Sequence, residues 1–280
     1  MTPNSEPANE PSRLAAVRAG VSRHPLVVFF ALAYLLSWSW WIPIYMAGDT
    51  VRKGIGWPTH IPGLLGPLLA AVITTATLEG RAGLRRLGRG IVRWRAGWWW
   101  LVIPVTLGAG AIGVLASGKP VTAADLTGYS GVSTELGGVL TVAFVFVFNG
   151  IGEEAGWRGF AVERMLRNRS LTSTSLLIVL AWAPWHLPMF FIVDTFRGFS
   201  PLEMVGWLLG LASGSFVLTW LFRGSGGSVP LVAAWHTAYN FTTVTPVAAA
   251  VTSMLVLTAA LIIAVLATRD HHRRRRIDDS

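Results

Sequence analysis

Long apolar runs recur from residue 26 to residue 267, broken by short polar and basic stretches. They predict helices near 26–47, 61–79, 98–117, 136–157, 171–193, 202–222, 229–246 and 248–267. Most approach the roughly 20 residues that carry a helix across a ~30 Å hydrocarbon core. Lipid offers backbone N–H and C=O groups no partner, so runs of this kind satisfy their own as helices. The fourth run is irregular, because its apolar part extends only from Val139 to Ile151 before two glutamates. A kink or turn at Thr245-Pro246 is all that parts the last two. The expected fold class is all-α: a polytopic helical membrane protein of about eight transmembrane helices.

The flanks differ in character. Residues 1–25, with Pro3, Pro7, Pro11 and several polar side chains, read as a disordered lead-in. Residues 26–267 form one membrane domain, and 268–280 a basic tail. The first apolar run is longer than a signal-peptide core and has no small-x-small cleavage site after it, so it reads as a retained signal anchor.

Composition agrees with this reading: 52% of the residues are hydrophobic and 13% charged, against about 25% charged in soluble domains. The net charge of +9 comes from 23 basic residues, 21 of them Arg, and their placement sets a topology. With the N-terminus in the cytoplasm, eight spans put 19 of them on the inside and leave only Arg52, Lys53, Lys119 and Arg197 outside. Both termini are then cytoplasmic, as in a multi-pass protein of a bacterial plasma membrane. The basic patches are explained by topology and contact with anionic lipid, so no nucleic-acid partner is expected. Trp38, Trp40, Trp41 and Trp98 to Trp100 sit at span ends, where indoles favour the membrane interface. The chain has no cysteine, hence no disulfide and no thiolate chemistry. It shows no inverted repeat of the transporter kind.

Ionisable groups deep in a bilayer each cost about 2.5–3.5 kcal/mol on insertion scales, so those that persist are functional candidates. Three clusters qualify. In Gly152-Glu153-Glu154-Ala155-Gly156-Trp157-Arg158, Glu154 and Arg158 share a helix face at i, i+4 and can pair. Glu153 points about 100° away and has no evident local partner; it suits a general base, whereas both glutamates could equally end the helix at the cytoplasmic interface. His186 stands alone in an apolar run between Pro184 and Pro188, either as a satisfied core residue or at the edge of a wet cavity. His236 and Asn240 share another face at i, i+4, placed either to donate to one anionic oxygen or to bridge helices. Together the three clusters suggest a polar, catalytic cavity for hydrolysis. A carboxylate–histidine pair would activate water there, and a His/Asn pair would hold the oxyanion.

At these residues the chain resembles the CAAX-protease and bacteriocin-processing (CPBP) family of intramembrane endopeptidases. The family's E-E-x-x-x-R matches Glu153, Glu154 and Arg158, its F-x-x-x-H matches Trp182 to His186 with Trp in place of Phe, and its H-x-x-x-N matches His236 to Asn240. Gly83-Leu84-Arg85-Arg86-Leu87 through Trp98 is similar to the family's basic connecting segment. The resemblance implies that Glu153 and His186 activate the attacking water, His236 and Asn240 bind the oxyanion, and Glu154 with Arg158 orients the site. It implies peptide or lipidated-protein substrates: prenylated CAAX proteins, leader peptides or other membrane peptides. No cofactor and no metal are expected. H-E-x-x-H is missing, and two histidines and a glutamate from three helices would ligate zinc only by spatial coincidence. A metal-dependent protease is the nearest alternative mechanism, and a non-catalytic membrane protein, such as a self-immunity or chaperone-like factor, the alternative of another class.

The charge distribution makes a direct prediction. Reporter fusions after residues 120 and 280 should report opposite sides of the membrane. The same side for both rules out the eight-span arrangement.

Overall fold

A computed structural model describes residues 20–243 and 246–278. Most of the expected lead-in and Thr245 of the expected turn therefore lie outside the described residues, while the backbone of the basic tail continues a helix as far as Asp278. The fold is all-α. Among the described residues there is no strand, only two isolated bridges, Val51 to Val193 and Lys53 to Ser130.

Six helices of spanning length come first: α1, Pro25–Met46; α2, Ile61–Ile91; α3, Gly97–Ala116; α4, Gly138–Met165; α5, Leu171–Ile192; and α6, Pro201–Gly224. They are followed by α7, Val229–Thr242, and α8, Pro246–Asp278, whose apolar stretch Val247–Thr268 is the seventh of spanning length. The expected seventh span is thus a helix, but its 14 residues reach only about 21 Å, less than the hydrocarbon core. Ten of those residues are buried, so α7 is an interior helix surrounded by the others. Local chemistry sets several starts. Ser170, Ser200 and Ser228 cap α5, α6 and α7 through their side-chain oxygens, and Ser200 with Glu203 forms a full capping box.

Two helices run well past their expected ends. Residues 81–91, expected as a basic loop, instead continue α2 beyond a kink at Gly80, which takes φ +56°. Leu84, Leu87 and Ile91 lie on the inner face of this extension at helical spacing, while Arg85, Arg86 and Arg89 face outward. An amphipathic helix of this kind is invisible to a search for apolar runs. The helix α4 likewise continues to Met165 and keeps Arg158, counted above among the cytoplasmic basic residues, wholly inside the bundle. Trp41, read as an interface residue, is also fully buried and donates to the His60 carbonyl at 2.8 Å.

The two ends of the bundle differ. At one, the bridges and the Gly54 N–H to Tyr129 C=O bond tie the loops near residues 51–54, 129–131 and 192–194 together. At the other, the arginine-rich ends of α2 and α4 meet the turn at 225–228, where Ser228 donates to the Arg93 carbonyl at 2.6 Å.

In the middle of α4, π-helical turns at Phe146–Ile151 and Trp157–Val162 flank the glutamate-bearing Gly152–Gly156. Such turns carry an extra residue and re-aim the side chains on either side. Glycine lets neighbouring helices come close here. A Cβ at Gly156 would stand 2.5 Å from the Pro67 backbone on α2, and one at Gly150 would stand 2.9 Å from the Ala233 carbonyl on α7. Gly156→Ala should therefore force α2 and α4 apart at about 1–3 kcal/mol. The check is a lowered thermal midpoint in detergent, with Gly88→Ala, a glycine with open space around it, unaffected or slightly stabilised.

Candidate active site

The three expected clusters converge. Glu153, Glu154 and Arg158 lie on α4, His186 at the end of the main run of α5, and His236 and Asn240 on α7. Glu153, Glu154, Arg158, His186 and His236 are all buried, and Asn240 is partly so. Mid-helix burial removes the reading in which the glutamates end a helix at the interface. On α5, Pro184 and Pro188 bring the regular helix to a stop at Trp185, leaving His186 as its C-cap.

The adjacent glutamates have different surroundings. Glu154 Oε1 accepts from Arg158 Nη1 at 2.9 Å and from His236 Nδ1 at 2.8 Å, an ion-pair cluster that joins α4 to α7. Glu153 meets only neutral donors. Its Oε1 accepts from Asn149 Nδ2 at 2.6 Å and its Oε2 from Trp182 Nε1 at 2.9 Å. Asn149, one turn before Glu153, is the local partner that the sequence did not reveal. Its own Oδ1 accepts from Asn240 Nδ2 at 2.9 Å, so a chain of amides links Glu153 to α7.

Trp182 does more than fill the family's aromatic position. Its indole N–H holds Glu153, its ring lies 4.5 Å from the Arg158 guanidinium carbon, and its carbonyl accepts from His186 Nδ1 at 2.7 Å. Trp182 thus stands between Glu153 and His186, which share no direct hydrogen bond. Because a carbonyl only accepts, the His186 hydrogen is on Nδ1 and the lone pair of the neutral ring on Nε2. For His236, the Glu154 carboxylate likewise fixes a hydrogen on Nδ1.

Two further residues reach the site from the bridged end. Tyr129 lies beside Asn240 and within electrostatic reach of Glu153, and burial raises its phenol above the ordinary value, so it stays a donor at neutral pH. Its ring stacks with His60 at 6.2 Å between centroids. Burial pulls the His60 imidazole down to about 4, so it is neutral, and its Nδ1 has no partner. Both residues belong to loops, and only the tertiary fold brings them here.

Among the described residues no group of three His, Asp or Glu side chains gathers as ligands would.

A multi-pass helical membrane protein with a buried acid, amide and imidazole site is the class that fold and site define. The family model described as Type II CAAX prenyl endopeptidase Rce1-like matches residues 135–242, the stretch holding all six expected side chains. The CAAX prenyl protease 2 of Methanococcus maripaludis is 22% identical over 225 residues, covering 75% of this chain and 79% of the relative. Both similarities support the resemblance to the CAAX-protease and bacteriocin-processing family of membrane proteases. Tyr129 and His60 fall outside the matched stretch.

The ion-pair cluster yields a stability prediction. Arg158→Gln leaves a carboxylate buried with only His236 beside it, and breaking a buried pair costs about 3–5 kcal/mol. The thermal midpoint should fall sharply. It should recover in part in the double variant Glu154→Gln/Arg158→Gln, where no uncompensated charge remains.

Proposed function

We propose that the chain is an intramembrane endopeptidase that hydrolyses a peptide bond by direct attack of water. Glu153 and His186 act as the base, and His236 and Asn240 as the oxyanion donors. The observation that carries the reading is the unequal treatment of the two glutamates. Glu154 is matched by Arg158 and His236 in direct contact and serves structure. Glu153 is held by an amide and an indole alone, and each of its oxygens keeps a second lone pair for water. A general base must be free to take a proton, and only Glu153 of the two has no cation bonded to it.

The histidines divide the remaining work. His186 Nε2 carries a lone pair and can accept a water hydrogen alongside Glu153. His236 can donate from Nε2 only as the imidazolium, with Glu154 as its counter-ion. Asn240 uses one amide hydrogen on Asn149 and directs the other toward the Tyr129 hydroxyl, from which an oxyanion would take it. Tyr129 adds a neutral donor beside Asn240. The Methanococcus relative is named a prenyl protease, so a prenylated CAAX peptide is the first substrate to test, with leader peptides and other membrane peptides after it.

The test is turnover by purified protein. Glu153→Gln should abolish hydrolysis while the protein stays folded, since an amide keeps the shape but cannot take the proton. Asn240→Ala should cut kcat by about 10²–10³-fold, or about 2.7–4 kcal/mol, with little change in KM. Near-normal turnover in Glu153→Gln, with none in Glu154→Gln, would reverse the two roles. No cleavage by the unaltered chain of any peptide in these classes would count against the protease reading itself.

A further inference from the structure

At the arginine-rich end, far from Glu153 in the sequence of α4, a cleft of about 280 Å³ opens between the extension of α2, the end of α4 and the turn at 225–228. Four arginines line it, Arg86, Arg89, Arg93 and Arg164, against one glutamate, Glu163. Two of the four are already matched: Arg86 and Arg164 both pair with Glu79, and Arg164 also approaches Glu163 at 3.6 Å. The other two are not. Arg89 bonds only the Arg85 carbonyl, at 3.4 Å, and the Arg93 guanidinium has no acidic partner among the described residues. Both are exposed. Leu87, Phe222 and Val229 make part of the lining apolar.

Two unmatched guanidiniums above apolar side chains suit a ligand that is anionic at one end and apolar at the other. A guanidinium presents a planar fork of N–H donors that matches phosphate oxygens two at a time. The same arginines dominate the charge asymmetry that sets topology, which puts the cleft at the level of lipid headgroups on that face. We propose that this cleft binds the phosphate of an anionic phospholipid, held by Arg89 and Arg93, with its glycerol end against Leu87, Phe222 and Val229. The site is separate from the candidate active site and does not depend on the protease reading.

The experiment uses the purified full chain in an uncharged detergent. Phosphatidylglycerol and phosphatidylcholine are titrated, and retention is read by native mass spectrometry alongside the thermal midpoint. Phosphatidylglycerol should be retained in preference to phosphatidylcholine and should raise the midpoint. In Arg89→Gln/Arg93→Gln its apparent affinity should fall about tenfold or more. In Arg81→Gln/Arg85→Gln, which removes as much charge from the same segment outside the cleft, it should stay unchanged. Equal losses in the two double variants would reduce the effect to general surface charge and overturn the site. So would equal retention of the two lipids. Displacement of phosphatidylglycerol by millimolar inorganic phosphate would show that the cleft takes free phosphate rather than a lipid headgroup. Arg93→Lys, which keeps the charge but loses the fork, should give an intermediate loss.

Discussion

The contact on which the rest depends is the buried cluster of Glu154, Arg158 and His236. Arg158 and Glu154 have no solvent exposure, and a charge in that position is tolerable only while its counter-charge stays within hydrogen-bonding distance. Arg158 is fixed to Glu154 along one helix, so the degree of freedom left is the position of α7, which the His236 bond sets. A slide of α7 by one turn, about 5.4 Å, would break that bond and leave the carboxylate with Arg158 alone. The register of α7 against α4 is therefore under electrostatic control. Asn240, one turn beyond His236, inherits its place opposite Asn149 from that register.

Close approach of backbones makes this cluster possible. Small residues let helices in membranes pack where no hydrophobic drive between them exists, and α4 uses Gly150 toward α7 and Gly156 toward α2. The π-helical turns on either side of Gly152–Gly156 present the two adjacent carboxylates to different neighbours. Some polar atoms remain unmatched, among them Glu154 Oε2 and Arg158 Nε and Nη2. Arg158 offsets part of this by lying over the Trp182 ring, whose π face attracts a cation.

How far the sequence foretold this depends on the kind of signal. The spans were legible because a bilayer demands long apolar runs, and seven of the eight expected helices are long enough to cross one. Their ends were less so: the extension of α2 beyond Gly80 is amphipathic, and α4 hides Arg158 inside. The short α7 was placed correctly but read as a full span, since composition does not distinguish a helix buried by lipid from one buried by protein. The six site residues stood out because ionisable groups are rare in apolar runs. Asn149 did not, since an uncharged amide is a weaker anomaly, although its place one turn before Glu153 was a usable clue. Nothing local marked His60 or Tyr129. The motif marks Trp182 by its ring alone, whereas its indole N–H and its carbonyl are what tie Glu153 to His186.

The depth of the site constrains what it can cut. Glu153 lies 12 residues from Met165, the arginine-rich end of α4, or about 18 Å along a regular helix. A peptide in the hydrocarbon layer outside the site has no water to satisfy its carbonyls and remains helical, with each carbonyl bonded to its own chain. Hydrolysis needs the opposite, an extended segment whose carbonyl is open to attack. Groups in the site are of the kind that can offset unwinding: the Asn240 amide and Tyr129 hydroxyl, which lie beside each other, and the Nε2 atoms of two histidines. They can replace only a few of the bonds a helix would lose, at about 0.5–1.5 kcal/mol net for each hydrogen bond. The interior of a stable transmembrane helix is therefore a poor substrate. Under the proposed reading, a chain terminus, or a segment already broken by glycine or proline, would meet the site with little to unwind.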